Sequence, residues 1–361
     1  MKINIYILIR VLLIATAVYL GWYFSDILLY LFFAFIFSLI GRPIARKISS
    51  IKIYKYRISY GIGTLFAMLL FILLISLVLL ILIPMLVDEM QALAQINYDE
   101  LAVGLEVFMD NIQQFLYQNR MIDPNETIVD MLTSEIKRFI NFTSFSNILS
   151  GLLSATGSFL FALFCILFFT FFFIRDNFKL EGVAMFLFGK QKLVNTSKLS
   201  DKINHLLSRY FIGLTLEVFC MIALIYIGLM IFGIKGALLF AVFGGILNIV
   251  PYLGPIIGAA TCCLFGMIDC VSVNEYHAVL PAVIKIAGVF VAANLIDNIL
   301  LQPLIYSKSL KTHPVEIFIV LVMGGTLDGI IGMIVAIPAY MIIRTVTVEL
   351  VGFMNDRPTD S

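Results

Sequence analysis

The chain reads as an all-α polytopic membrane protein, and three observations carry that reading. First, 61% of its 361 residues are hydrophobic and 13% are charged, with a mean hydropathy of +1.04. A soluble domain carries about 45–50% apolar and about 25% charged residues, and so few charges cannot cover a surface that faces water. Second, apolar runs recur that approach or exceed the roughly 20 residues a bilayer span requires. Third, two long apolar stretches are interrupted in the middle by proline or glycine. The expected architecture is about six full transmembrane helices plus two Pro/Gly-broken helical hairpins arranged as an inverted repeat, with an extracytoplasmic amphipathic helical subdomain.

In chain order, the expected spans lie near 3–23, 27–40, 60–87, 151–174, 210–232 and 280–301, with the broken stretches at 236–268 and 315–343. A signal peptide ending at Ala15-Thr16-Ala17 is the competing reading of the start. Arg10 interrupts its apolar region and a second apolar run follows at once, which favours a retained first helix. The segment 42–57 holds Arg42, Arg46, Lys47, Lys52, Lys55 and Arg57 and no acid. Segment 175–209 has seven basic residues against three acidic ones, whereas 88–138 has ten acidic against three basic. The positive-inside rule puts the first two on the cytoplasmic side together with both termini, and places 88–150 outside.

Five divisions follow: N-terminal transmembrane helices at 1–87, the extracytoplasmic helical subdomain at 88–150, a membrane helix with a basic amphipathic cytoplasmic helix at 151–209, a transport core at 210–345, and a cytoplasmic tail at 346–361. Helical spacing of Leu101, Leu105, Phe108, Ile112, Phe115 and Leu116 marks the outer subdomain as amphipathic.

The transport core carries the chemistry. Residues 236–268 are too long for one ordinary span, and Pro251 and Pro255 flank Gly254 at their centre. Proline withdraws a backbone donor and clashes with the preceding turn, so a helix breaks there. A hairpin entering and leaving on one side, or two short full spans, would both satisfy the pattern. The stretch 315–343 breaks similarly at Gly324, Gly325, Asp328 and Gly329. Each tip carries a Gly-xxx-Gly spacing, Gly254/Gly258 and Gly325/Gly329, which the frequency of glycine in membrane helices also explains. Irregular backbone at membrane depth survives only where protein buries it or water fills a cavity. Paired interrupted segments in two halves point to a transporter binding site near the midplane.

Ionisable residues within these spans are few: Glu217, Lys285, Asp297, Glu316 and Asp328. A carboxylate at the bilayer centre costs roughly 2.5–3.5 kcal/mol on insertion scales. Asp297 stands with Asn294 and Asn298 at helical spacing on one face. Such oxygen-rich groups suit a small monovalent cation or a proton relay; the competing reading is a polar helix-packing cluster. Asn248 and Tyr252 flank the first break and Asp328 the second, where freed carbonyls could complete an ion site. Asp328 has a second reading, capping the helix that follows. Glu217 pairs with an Asn or with Lys285, or lies near the interface. Lys285 and Glu316 are explained by snorkelling at span ends. Cys165, Cys220, Cys262, Cys263 and Cys270 have no metal-site or disulfide spacing and read as small buried apolar residues. Neither a cofactor nor a metal is expected. With a net charge of +1, a nucleic-acid partner is not expected either.

The run from Asn248 through Pro251, Tyr252, Gly254 and Pro255 to Gly258 resembles the signature of the autoinducer-2 exporter family of bacterial membrane proteins. Asp297-Asn298 followed by Gln302-Pro303, Leu310 to Pro314, Gly324-Gly325, Gly329, Gly332 and Pro338 resembles that family's C-terminal half. The resemblance implies a homo-oligomeric permease of the bacterial cytoplasmic (inner) membrane. Members of the family have been assigned to autoinducer-2 export or to sodium(lithium)/proton antiport, and both stay open here. The expected partners are the lipid bilayer, a small solute or a monovalent cation and protons, and further copies of the chain. The rival from another class is a non-transporting scaffold that assists an envelope complex through 88–150. An intramembrane enzyme is disfavoured, because no His-Glu-x-x-His or Gly-x-Ser-x-Gly is present.

Overall fold

The computed structural model describes residues 16, 19, 23–53, 56–95, 145–176, 193–273, 275–306 and 313–355. Most of the expected first span, residues 96–144 of the outer subdomain and the last six residues lie outside them. The described chain is helical, apart from short connections and a two-residue antiparallel ribbon, β1 (Lys52–Ile53) with β2 (Tyr56–Arg57). The helices are α1 (Ser25–Ser49), α2 (Tyr60–Gln95), α3 (Phe145–Arg175), α4 (Leu193–Ile231), α5 (Ala237–Leu247), α6 (Leu253–Ser272), α7 (Val279–Ile296), α8 (Gln302–Tyr306) and α9 (Pro314–Asn355). Among the described residues, seven helical stretches are long and apolar enough to cross a membrane. The helices form two compact units, one from Met1–Leu74 and Ala155–Phe211, the other from Ile75–Ser154 and Ile212–Ser361.

In the first unit, Ala45 of α1, Ala67, Met68 and Phe71 of α2, and Ile174 of α3 form a buried cluster. Gly63 lets α2 approach the Ala45 carbonyl so closely that a methyl group there would lie 2.5 Å from the oxygen. Sequence reading ends the second span near residue 40 and places Arg42, Arg46 and Lys47 in a loop. Instead α1 runs on to Ser49 and carries all three, with Pro43 inside it. The reason is local repair. Pro43 has no N–H for the Leu39 carbonyl, and the Ser208 hydroxyl of α4 donates to that oxygen at 3.1 Å. The Arg42 guanidinium donates to the Phe173 carbonyl in the last turn of α3 at 3.2 Å, a cation where the helix dipole is negative. Ser208→Ala is expected to lower stability by about 0.6–1.7 kcal/mol, the range for interhelical hydrogen bonds in membranes, read by thermal unfolding in detergent.

The basic amphipathic helix and the fifth span are one continuous helix, α4, because no proline or glycine separates them between 193 and 212. In the second unit, Met221, Ile225 and Leu229 of α4 pack with Ala237, Leu239, Phe240 and Ala241 of α5. Cys262 of α6 and Ile286, Val289, Phe290 and Ala293 of α7 complete that core. Cys262 thus lies among apolar side chains, its thiol 3.7 Å from the Phe240 carbonyl.

Candidate functional site

The α5–α6 pair folds back on itself at 248–252. Contacts recede evenly from this turn: Gly254 sits against the Leu247 carbonyl, Gly258 against Gly244, and Phe265 stacks on Phe240 with ring centroids 6.2 Å apart. A methyl group at Gly254 would collide with the Leu247 carbonyl, so the tip closes only with glycine there. The turn is knit by Ile249 N–H to the Ile246 carbonyl, Val250 N–H to that of Leu247, and Gly254 N–H to that of Val250 at 2.9 Å. Pro251 lies in the turn, and Pro255 lies in the first turn of α6, where a missing N–H is harmless. Tyr252 has φ 65° and ψ −51°, a left-handed backbone that is rare outside glycine and concentrates at functional sites. Asn248 is buried and Tyr252 is exposed.

Asp297 is 1% exposed and opens a π-helical turn, Asp297–Leu301, inserted between α7 and α8. Single π turns inside helices recur at functional sites. Its Oδ2 accepts from the Gln302 side-chain amide at 2.9 Å, and its Oδ1 has no hydrogen-bond partner among the described residues. Sequence spacing places Asn294, Asp297 and Asn298 on one face. In the structure the exposed Asn298 donates to the half-buried Asn294 side chain at 3.1 Å, as the four-residue spacing predicts, while the buried Asp297 is bonded by Gln302. Gln302 escapes sequence reasoning because it lies five residues on, a separation that faces Asp297 only across a π turn. The one available signal was Pro303, which withdraws a donor from that turn.

Helix register brings these elements to one level. Gly245 rests on Ile222 of α4, and Gly244 touches Ile225 and Phe290. Followed back along α4, that register sets the buried Glu217 at the level of the 248–252 turn. Gly258 meets Phe290 of α7; seven residues further along α7 is Asp297, and seven residues back along α6 is Pro251. Asp297, Glu217 and the turn therefore share one depth. The 11 residues of α5 rise about 16 Å, roughly half of a ~30 Å hydrocarbon core.

At the other end of the pair a cavity of about 140 Å³ is lined by Gly233, Lys235, Gly266, Asp269, Glu275 and Ile286, among others, with Lys235 electrostatically coupled to Asp269.

The second broken stretch also reverses. Within α9, Asp328 (φ −150°, ψ 36°) and Gly329 (φ 54°, ψ −135°) leave helical geometry, and the halves 314–327 and 330–355 fold together. Gly324 packs on Gly332 and Tyr340 donates to Glu316 at 2.5 Å. The close backbone approach of the two halves is at Gly324 and Gly332. Gly325 meets Met333, whereas Gly329 touches nothing within 4 Å and serves through its backbone angles. Asp328 is exposed at the reversal, and Lys285 is exposed on α7.

The family model for AI-2E family transporters matches residues 7–352. Three proteins of Bacillus subtilis (strain 168) that are named as transport proteins are similar to parts of the chain. YrrI is 32% identical over 201 residues, 56% of this chain and 54% of its own. YueF is 27% identical over 190 residues, 53% and 49%, and YtvI is 27% identical over 174 residues, 48% and 44%. The chain thus spans about half the length of the curated relatives it matches. With a family match over nearly its whole length, on a multi-pass helical membrane fold, this chain belongs to the AI-2E transporter family.

Proposed function

We propose that this chain is a secondary transporter of the bacterial cytoplasmic membrane, working by exchange of a monovalent cation for protons or by export of a small solute, with Asp297 at its coupling site. One observation carries the reading: a carboxylate 1% exposed, with an oxygen lacking a partner among the described residues, inside a π turn. Intramembrane carboxylates are costly and mark ion paths and proton relays. The level that Asp297 shares with the α5–α6 turn and Glu217 fits a site at a helix break near the midplane. In this reading the two hairpins enter from opposite sides as an inverted repeat and rock around that site. Gly254, Gly258, Gly324, Gly325 and Gly329 keep the moving pairs tight, and Asn248, Tyr252 and Asp328 act at the tips. Both termini are cytoplasmic, in keeping with the basic segments 42–57 and 175–209, and the working form is a homo-oligomer, in keeping with the family. The names of the relatives, which assign them to transport, support the class of function.

The test is proton flux in proteoliposomes with an imposed pH gradient, adding sodium, lithium or potassium. Cation-triggered collapse of the gradient is expected. No response from folded protein would overturn antiport, and counterflow of small polyols would then test solute export.

A further inference from the structure

We propose that Gln302 is the positioning residue of the Asp297 site, brought there by the π turn so that one carboxylate oxygen is held and the other is left open for a partly dehydrated monovalent cation. The inference rests on the coupling role of Asp297 and adds the residue that orients it and the atom that coordinates. In a regular α-helix, residues five apart lie about 140° around the axis from one another, so Gln302 would face away from Asp297. The π turn removes that separation. The Gln302 backbone N–H bonds the Asp297 carbonyl, and its side-chain amide bonds Asp297 Oδ2 at 2.9 Å. One residue therefore grips Asp297 through both backbone and side chain. Oδ1 stays buried, with no partner among the described residues.

The next residue adds a second oxygen. Pro303 has no N–H, so the Asn298 or Ile299 carbonyl of the same turn lacks the donor that a helix would supply. A fixed carboxylate oxygen and a carbonyl freed in the same turn supply the oxygen-only chemistry that takes sodium or lithium in discontinuous membrane helices. Asn294 and Asn298 satisfy one another at 3.1 Å and are not needed to hold Asp297.

The test uses the full chain, reconstituted and in detergent, with three variants. Gln302→Met keeps the length of the side chain and removes its donor; Gln302→Asn keeps a donor on a shorter arm. The third, Asp297→Asn, removes the charge that Gln302 orients. For Gln302→Met the half-saturating sodium or lithium concentration is expected to rise about tenfold, the scale of one hydrogen bond to a charged group. Its maximal rate should stay within about twofold, and sodium-dependent thermal stabilisation should be lost. Gln302→Asn should fall between wild type and Met. A lowered melting temperature with unchanged half-saturation in Gln302→Met would make Gln302 a structural prop and overturn the proposal. If Asp297→Asn itself leaves flux and half-saturation unchanged, the underlying reading of Asp297 fails instead, so the two failures are distinct.

Discussion

Asp297→Asn is expected to reduce cation-driven proton flux to that of empty liposomes while the protein stays folded. The substitution is nearly isosteric, and the new amide still meets the Gln302 side chain, 2.9 Å from the present carboxylate oxygen. It removes the exchangeable proton and the negative charge together, and no neutral group can alternate between binding a proton and balancing a cation. The effect on stability should have the opposite sign. A charge buried to 1% exposure costs roughly 2.5–3.5 kcal/mol on insertion scales, and its removal relieves that cost, so the melting temperature should be unchanged or higher. A loss of at least about 100-fold in flux, corresponding to about 2.8 kcal/mol, together with preserved or raised stability separates a coupling group from a packing group. Retained flux in the folded Asn variant would overturn the assignment of Asp297 and leave the scaffold reading to be tested by partner capture through 88–150.

The second large effect concerns the α9 hairpin. Gly332→Val is expected to destabilise the protein by about 1–3 kcal/mol or more, as overpacking at a fixed contact does. The Gly332 α-carbon faces the Gly324 carbonyl. From the other side, a methyl group at Gly324 would lie 2.5 Å from the Gly332 oxygen and 2.7 Å from the Ala336 Cβ. Backbone cannot rotate out of the way as a flexible side chain can, so the two halves must splay. Gly329→Ala should cost about 1–3 kcal/mol by a different route, because φ 54° with ψ −135° lies where a Cβ is not tolerated. Gly288→Ala is the control: it sits in α7 with nothing within 4 Å of an added methyl group, and a gain of roughly 0.5–1 kcal/mol is expected from helix propensity. Thermal unfolding in detergent reads all three. Equal melting of Gly332→Val and wild type would show that the close approach does not govern the hairpin.

Much of this was legible in the residues. Hydrophobic runs located the helices because a bilayer imposes length and apolarity on each span separately, with no partner needed. Pro251, Gly254, Asp328 and Gly329 located both reversals because proline and glycine act on the backbone within a turn of themselves. Asp297 stood out because few charges occur within the spans. The end of the second span at residue 40 assumed ordinary local geometry at Pro43, where a distant group changes it. Ser208 sustains α1 past Pro43 from 165 positions further along the chain.

Composition and periodicity by themselves determined the membrane class, most of the helices and the presence of two broken segments, because those properties are set residue by residue by solvation and backbone sterics. The tertiary structure alone decided which glycines meet: Gly254 with Leu247, Gly258 with Gly244, Gly324 with Gly332. It also decided that Asp297 meets Gln302 through a π turn and shares a level with Glu217 and the 248–252 break. Those facts depend on helix register, which no single segment encodes. Register follows from how closely two backbones can approach, and that distance is fixed only once both are present.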